Sequence, residues 1–436
     1  IVNVTNGVLE TSNFDGDTGP VSVFAVRNAT NSSNSLGVIV DHSTSISFSS
    51  SLGFRHDTSQ NKLRFGTNSN FTTVAESFPT GQNLHSGIAN STGRDIYLDG
   101  VSVANTSGNQ ETTGVTSRPL SVFGLPYSSI VYFAGNIQEV VVYTGLSADQ
   151  SSNRTGIESD INSEFLIYQP TDAPTSGLLA TYTGAAAAYS VRQLSDKAVI
   201  ALRIRRDSDD EETNIGFDAN GDLDTTAISD FCSTANGYVT RWWDQSTNGN
   251  HADQATDASQ PQIYNGTAVI TENGKPTISN WQSATTTLIS SFGTTYDDVH
   301  VFTVNRDDDG IGVVGYVVSG NTGTNFRLAR NLSSSDIFLY DGASAYSTTA
   351  KATGQALISA SNETTPTVFY NGSSRSFNNT LNGNGMSGAY IGNHPALSAG
   401  ANLEGNLQEL IIFSAHQTSS NRTGIESDIN TYFSIY

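Results

Sequence analysis

A twelve-residue segment, Ser-Ser-Asn-Arg-Thr-Gly-Ile-Glu-Ser-Asp-Ile-Asn, occupies residues 151–162 and returns unchanged at 419–430. The likeness runs upstream: Gly-Asn-Ile-Gln-Glu-Val-Val-Val-Tyr at 135–143 faces Gly-Asn-Leu-Gln-Glu-Leu-Ile-Ile-Phe at 405–413. A chain that repeats itself in this way builds one structural solution twice, in modules that end at Tyr168 and Tyr436. Each end reads as a strand followed by a helix. The apolar runs 140–143 and 410–413 are buried strands. Ser147-x-x-Gln150 and Ser414-x-x-Gln417 have capping-box spacing and place the helix starts there. Ile157, Ile161 and Phe165, like Ile425, Ile429 and Phe433, fall at i, i+4 and i+8, one stripe that docks on a sheet. Core packing, rather than a groove for a partner, is the reading of that stripe.

Further upstream, Asp99-Gly100 and Asn371-Gly372 stand between apolar runs, the signature of a two-residue hairpin whose central residues need positive φ. Short strands at 120–123 and 389–391 then end at Gly124 and Gly392. Many short strands with regular turns predict β-sandwiches. Composition agrees: Lys, Arg, Asp and Glu make up only 14% of 436 residues, against about 25% in ordinary domains, and Gly, Ser, Thr and Asn fill the difference. The 20 basic and 41 acidic residues leave a net charge of −21 with no basic stripe, which excludes nucleic acid as a partner. No run of about 18 apolar residues predicts membrane insertion. Cys232 is the single cysteine, so stability rests on packing and hydrogen bonds.

The order of aromatic strand, Asp-Gly hairpin, Ile-Gly strand, Gly-Asn-Ile-Gln-Glu strand and closing helix resembles the laminin-G-like and concanavalin-A-like jelly-roll family over most of 20–168 and 290–436. The resemblance implies an all-β chain of two jelly-roll sandwiches, each closed by a short helix. The expected domains are a sandwich at 1–168, a Pro/Ser/Thr linker at 169–177, and a second sandwich at 178–436. Strand 21–27 aligns with 299–306, leaving about 20 residues before the first and far more before the second. The first sandwich is therefore expected to be N-terminally incomplete, with a matching block upstream.

Residues 178–262 have no counterpart in the first module. Ala188-Tyr189-Ser190-Val191-Arg192 and Trp242-Trp243-Asp244-Gln245-Ser246-Thr247-Asn248-Gly249-Asn250 resemble the start of the catalytic domain of fungal B-type α-L-arabinofuranosidases, a block also joined to laminin-G-like modules (here 263–436) in marine bacteriophage structural proteins and bacterial surface proteins. Phe231-Cys232 matches a Phe-Cys pair whose cysteine is disulfide-bonded in the fungal enzymes, and this chain has no partner for it. Retaining glycosidases need two carboxyl groups about 5 Å apart, and the resemblance places the nucleophile in a segment whose nearest match, 315–323, holds no carboxylate. No glutamate lies between Glu272 and Glu363, and the aspartates there are Asp297, Asp298, Asp307, Asp308, Asp309, Asp336 and Asp341.

Two weaker constellations remain. Trp242, Trp243, Asp244, Asn248 and Asn250 suit a carbohydrate platform, an indole against a sugar ring with polar groups on its hydroxyls. The alternative, preferred on the residues, buries Trp243 and folds 244–250 back as a polar turn. Asp218, Asn220, Asp222 and Asp224 alternate as calcium ligands do, although glycine stands fourth instead of sixth and Ser229 replaces the twelfth-position glutamate; a polar turn competes with calcium. The acidic run 207–212 reads as a solvated loop. The expectation is a non-catalytic bacteriophage virion surface protein, a fibre, spike or decoration component. Its partners would be host cell-surface glycans and other virion proteins or further copies of itself. A secreted or cell-surface bacterial carbohydrate-binding protein is the alternative, and an arabinofuranosidase-like hydrolase the third reading.

Overall fold

A computed structural model of the chain describes residues 2–3, 9–10, 19–29, 37–41, 52–57, 62–67, 70–73, 81–108, 121–122, 135–144, 149–281, 285–307, 315–332, 335–350, 353–396 and 402–436. Ser147, Leu120, Phe123, Gly124, Asp308 and Asp309 lie outside them. The chain divides into two compact units, Ile1–Tyr168 and Gln169–Tyr436. Each is built from antiparallel sheets, as the all-β expectation requires. Among the described residues the first has two six-stranded sheets, and the second has one of six strands, one of eleven and a two-stranded ribbon.

The repeated sequence folds into repeated structure. Strands Gly135–Thr144 and Gly405–Phe413 pair with Val21–Ala29 and His300–Asp307, and each register is interrupted once, at Gln138 and at Gln408. The hairpins adopt the expected geometry: φ is +50° and +80° at Asp99 and Gly100, +49° and +71° at Asn371 and Gly372. The Asp99 and Asn371 side chains each accept a backbone N–H one strand away, from Leu84 at 2.8 Å and Leu357 at 2.9 Å.

Closing helices Arg154–Phe165 and Ser419–Phe433 then dock by the same contacts. In each, an arginine pairs with a glutamate one turn on, Arg154 with Glu158 and Arg422 with Glu426. Both glutamates are buried, and Glu426 accepts from Ser359 Oγ at 2.6 Å. The arginines lie over Tyr97 and Phe369, 3.8 and 3.4 Å from the ring centroids. Asn162 and Asn430 finish the helices by accepting two backbone N–H groups each, from Ile167 and Tyr168, and from Ile435 and Tyr436.

Two expectations need correction. The helices do not start at the capping-box serines. The second is capped by Thr418, whose hydroxyl accepts from Asn421 N, and the first follows Asn153 without a side-chain cap. Ser414 instead donates to Gly184 O at the end of the strand, and Gln417 Oε1 accepts from Asn421. The closing strands also differ in burial: Leu410, Ile411, Ile412 and Phe413 are fully enclosed, whereas Val140 to Tyr143 are half-buried. In the second unit Ala185–Ser190 pairs along the outer edge of the closing strand.

The rest of the 178–262 block extends the larger sheet. Leu202–Arg206, Glu212–Ile215 and Asn236–Trp242 form one side of it, joined through Ala252–Asp253 to Leu288–Tyr296. Residues that pair directly across strands share a face. One such row, Leu202, Trp242 and Ala252, continued by Leu288, Ile391, Val318, Leu328, Leu339 and Ala345, is wholly buried and forms the core wall.

Candidate functional site

The five proposed carbohydrate residues come together, and most of their polar groups are already engaged. Trp242 is fully buried against Tyr189, ring centroids 5.8 Å apart, and donates to Ser190 O. Asp244 is fully buried; its carboxylate accepts from Ala188 N at 2.8 Å, Ser246 N at 2.9 Å, Ser246 Oγ at 2.8 Å and Asn250 N at 3.0 Å. Burial pushes this carboxyl up, against the pull of those bonds. Asn248 and Asn250 donate to Ala185 O and Ala186 O. Gln245 donates to Ser190 O and Arg192 O while accepting from Leu194 N.

The motif is therefore a clasp. Strand Ala185–Ser190 has the closing strand on one side and this turn on the other, so the turn's side chains satisfy backbone groups of an edge that would otherwise stand open. Thr247 and Gly249 take φ of +69° and +72° to make the turn. Trp243 lies outside the clasp, flanked by Arg241, Arg203 and His251.

At the second constellation Asp218 accepts from Asn220 N and Asp222 N, Asp222 pairs with Lys275 at 3.4 Å, and Asp224 caps helix Thr225–Cys232 through Ala227 N. Each carboxylate has a separate structural partner. Among the described residues no three His, Cys, Asp or Glu side chains converge to hold a metal. The acidic run 207–212 is tied to arginines, Asp209 to Arg206 and Asp210 to Arg205.

Sequence reasoning missed the outer face of the larger sheet. Arg203, Arg241, Asp253, Ile289, Tyr390, Ser319, Arg327 and Tyr340 are successive cross-strand partners, a row opposite the core wall. Beside it Tyr316, Ala329, Phe338 and Tyr346 form a second row on the same face. Phe338 contacts Tyr346 at 5.0 Å and Tyr316 at 6.3 Å between centroids, and Tyr316 meets His394 at 5.1 Å. Arg327 lies 4.7 Å over Tyr340, bonds to His394 Nε2 and donates to Thr322 O and Gly323 O. Burial and the neighbouring Arg327 lower the His394 pKa, so its ring is neutral at pH 7.

The carboxylate on the first row is Asp253, half-exposed and held by Arg241 through Nε at 2.5 Å and Nη2 at 3.0 Å. Aromatic rings interleaved with fixed donors suit a ligand with apolar ring faces and hydroxyl edges. The local signal for this face was alternation, as in Phe338 and Tyr340. What it could not give was which distant strands lie side by side.

Residues 177–327 match the family described as Alpha-L-arabinofuranosidase B, catalytic. The match shows the resemblance of this block, and it overturns the expectation of a non-catalytic virion surface protein, because the family that the block matches is defined by a catalytic domain. No curated protein sequence matches the chain. Among solved structures, the chain is similar to an arabinofuranosidase complexed with arabinofuranosyl-α-1,2-xylobiose, at 18% identity and a TM-score of 0.44 over 58% of this chain and 64% of that one. It is similar to a family-54 α-L-arabinofuranosidase soaked with a cyclic sulfate inhibitor, at 19% identity and a TM-score of 0.38 over 58% and 65%. It is also similar to domain 4 of an extracellular arabinanase from Geobacillus stearothermophilus in complex with arabinotriose, at 11% identity and a TM-score of 0.27 over 31% and 66%. The chain thus spans less than two thirds of the length of the arabinofuranosidase structures it resembles.

Proposed function

We propose that the second unit is an arabinofuranosidase-like glycoside hydrolase module of jelly-roll type, acting on carbohydrate that carries α-L-arabinofuranosyl groups. The observation that carries this reading is the family match over 177–327. Its span includes Arg241, Asp253, Tyr316, Ser319 and Arg327, all on the outer face of the larger sheet. In this reading the sugar lies along that face. Tyr316, Tyr340 and Tyr390 offer ring faces and hydroxyls, and Arg327 and His394 fix orientation from beneath.

Hydrolysis with retention requires two carboxyl groups, one attacking the anomeric carbon and one protonating the leaving oxygen. Asp253 is the first candidate for one of them. The test joins turnover of a chromogenic α-L-arabinofuranoside to calorimetric binding of arabinofuranosyl-xylobiose. Turnover that falls at least about a hundredfold in Asp253→Asn, with binding retained, is the expected result. Binding without turnover would keep the substrate class and reject the hydrolytic step. Absence of both would reject the reading.

A further inference from the structure

The closing helix of the second unit carries Gly424, Ser427, Asp428 and Thr431 at i, i+3, i+4 and i+7, one small polar face along its length. The block that precedes the laminin-G-like module raises a wall beside that face. Leu178, Thr181 and Tyr182 form the wall, and Arg192 and Tyr432 complete an open groove of about 820 Å³, within the range of small-molecule sites. Gly424 admits the wall, since a Cβ there would lie 2.0 Å from Tyr182 Oη.

Arg192 is the buried polar group of the groove. A guanidinium has five N–H donors. Nε and Nη2 donate to Glu409 at 2.8 and 3.1 Å, and Nη1 donates to Asp428 at 2.7 Å. One N–H on each Nη is therefore left without a bond among the described residues. Glu409 is fully buried, whereas the Asp428 side chain is 43% exposed and commits only Oδ1 to Arg192. A fixed donor thus stands beside a fixed acceptor. Around them are the hydroxyls of Thr181, Ser427 and Thr431 and the rings of Tyr182 and Tyr432.

The charges here are already balanced against one another. Arg192 is paired with Glu409 and Asp428, and Lys275, whose Nζ lies 3.9 Å over the Tyr432 ring, is paired with Asp222. An anion would meet the carboxylates, and a cation would compete with Arg192 for them. A vicinal diol satisfies both sides at once, donating to Asp428 while accepting from Arg192, with its C–H faces on the tyrosine rings.

We infer that this groove is a second carbohydrate site, which takes a neutral oligosaccharide through vicinal hydroxyls. The outer face of the larger sheet contributes none of its residues, so the two sites stand or fall separately.

The test adds arabinotriose or xylotriose to the full chain at about 20 mM, above the millimolar Kd of a weak site, and reads amide hydrogen exchange by mass spectrometry. Exchange at 178–182 and 424–432 should slow by about threefold or more with at least one of the two sugars. Ser427→Trp fills the groove from an exposed position, and Asp428→Ala removes the acceptor. Each should return exchange in the groove to the rate of the free chain, with an unchanged thermal transition showing that the fold is intact. Protection confined to 315–319 and 335–340 would overturn the second site and leave the outer face as the sugar site. Groove protection that survives Ser427→Trp would overturn it as well, as would tighter binding of trigalacturonic acid than of either neutral sugar.

Discussion

Asp244 places both carboxylate oxygens on backbone and hydroxyl donors of its own chain, so its role is to hold strand Ala185–Ser190. Asp244→Ala should cost about 3 kcal/mol or more, because buried N–H groups lose their acceptor together. Urea unfolding measures it, and a loss under about 1 kcal/mol would contradict the clasp. A second residue-scale prediction concerns acid. Burial first, then the neighbouring His416, lower the His300 pKa to about 3, and its ring stacks on Phe302 at 4.7 Å. The unfolded histidine titrates near 6.5, so below that pH the unfolded chain takes up a proton that the folded chain refuses. Stability should therefore fall as pH drops from about 6.5 toward 3, by up to about 1.4 kcal/mol per unit from this group. His300→Gln should flatten that slope in unfolding curves taken across the window. The polar turn at 244–250 was legible because Asn, Gly, Ser and Asp have local uses there; the Asp253–Arg241 fork was not, because it depends on which strands meet.

Two helices that share a twelve-residue segment set up a comparison that a single helix cannot give. Gly156 has open space where a Cβ would go, whereas a Cβ on Gly424 would lie 2.0 Å from the Tyr182 hydroxyl. Gly156→Ala should stabilise the first unit by about 0.5–1 kcal/mol, the ordinary helix-propensity gain. Gly424→Ala should show less gain or a loss, since Tyr182 must move aside. Equal shifts in the two thermal transitions would contradict this. At the same scale the hairpins and closing strands could be read from the sequence, because Asp-Gly, Asn-Gly and apolar runs have few other uses. The helix starts could not, because serine and glutamine three apart are common in a chain this rich in polar residues. The half-burial of 140–143 also escaped, since burial depends on what packs against a run and not on the run itself.

Over the whole molecule, the boundary between units falls at Tyr168/Gln169, and Thr171, Asp172 and Ala173 just beyond it are exposed. The later part of that segment is fastened, as Asp196 accepts from Thr175 N, Thr175 Oγ and Ser176 N. Brief proteolysis should therefore cut first at 171–173 and leave two resistant fragments, identified by mass. First cleavage within 185–281 would contradict the placement of the weak point. The all-β class was legible in composition and repeat. The candidate face was not, because its rows gather residues from Arg203 to Tyr390, so that no local spacing marks it.

The duplicated closing helix also bears on how the chain is made. Each sandwich offers the helix nearly the same seat, a buried serine or small-residue strand and an aromatic ring, Tyr97 in one and Phe369 in the other. During synthesis the first helix emerges when only the first seat exists, so vectorial order alone prevents a mismatch. A full-length chain released from denaturant has no such order. Both helices can then reach both seats, so refolding from denaturant is expected to be slower than folding during synthesis.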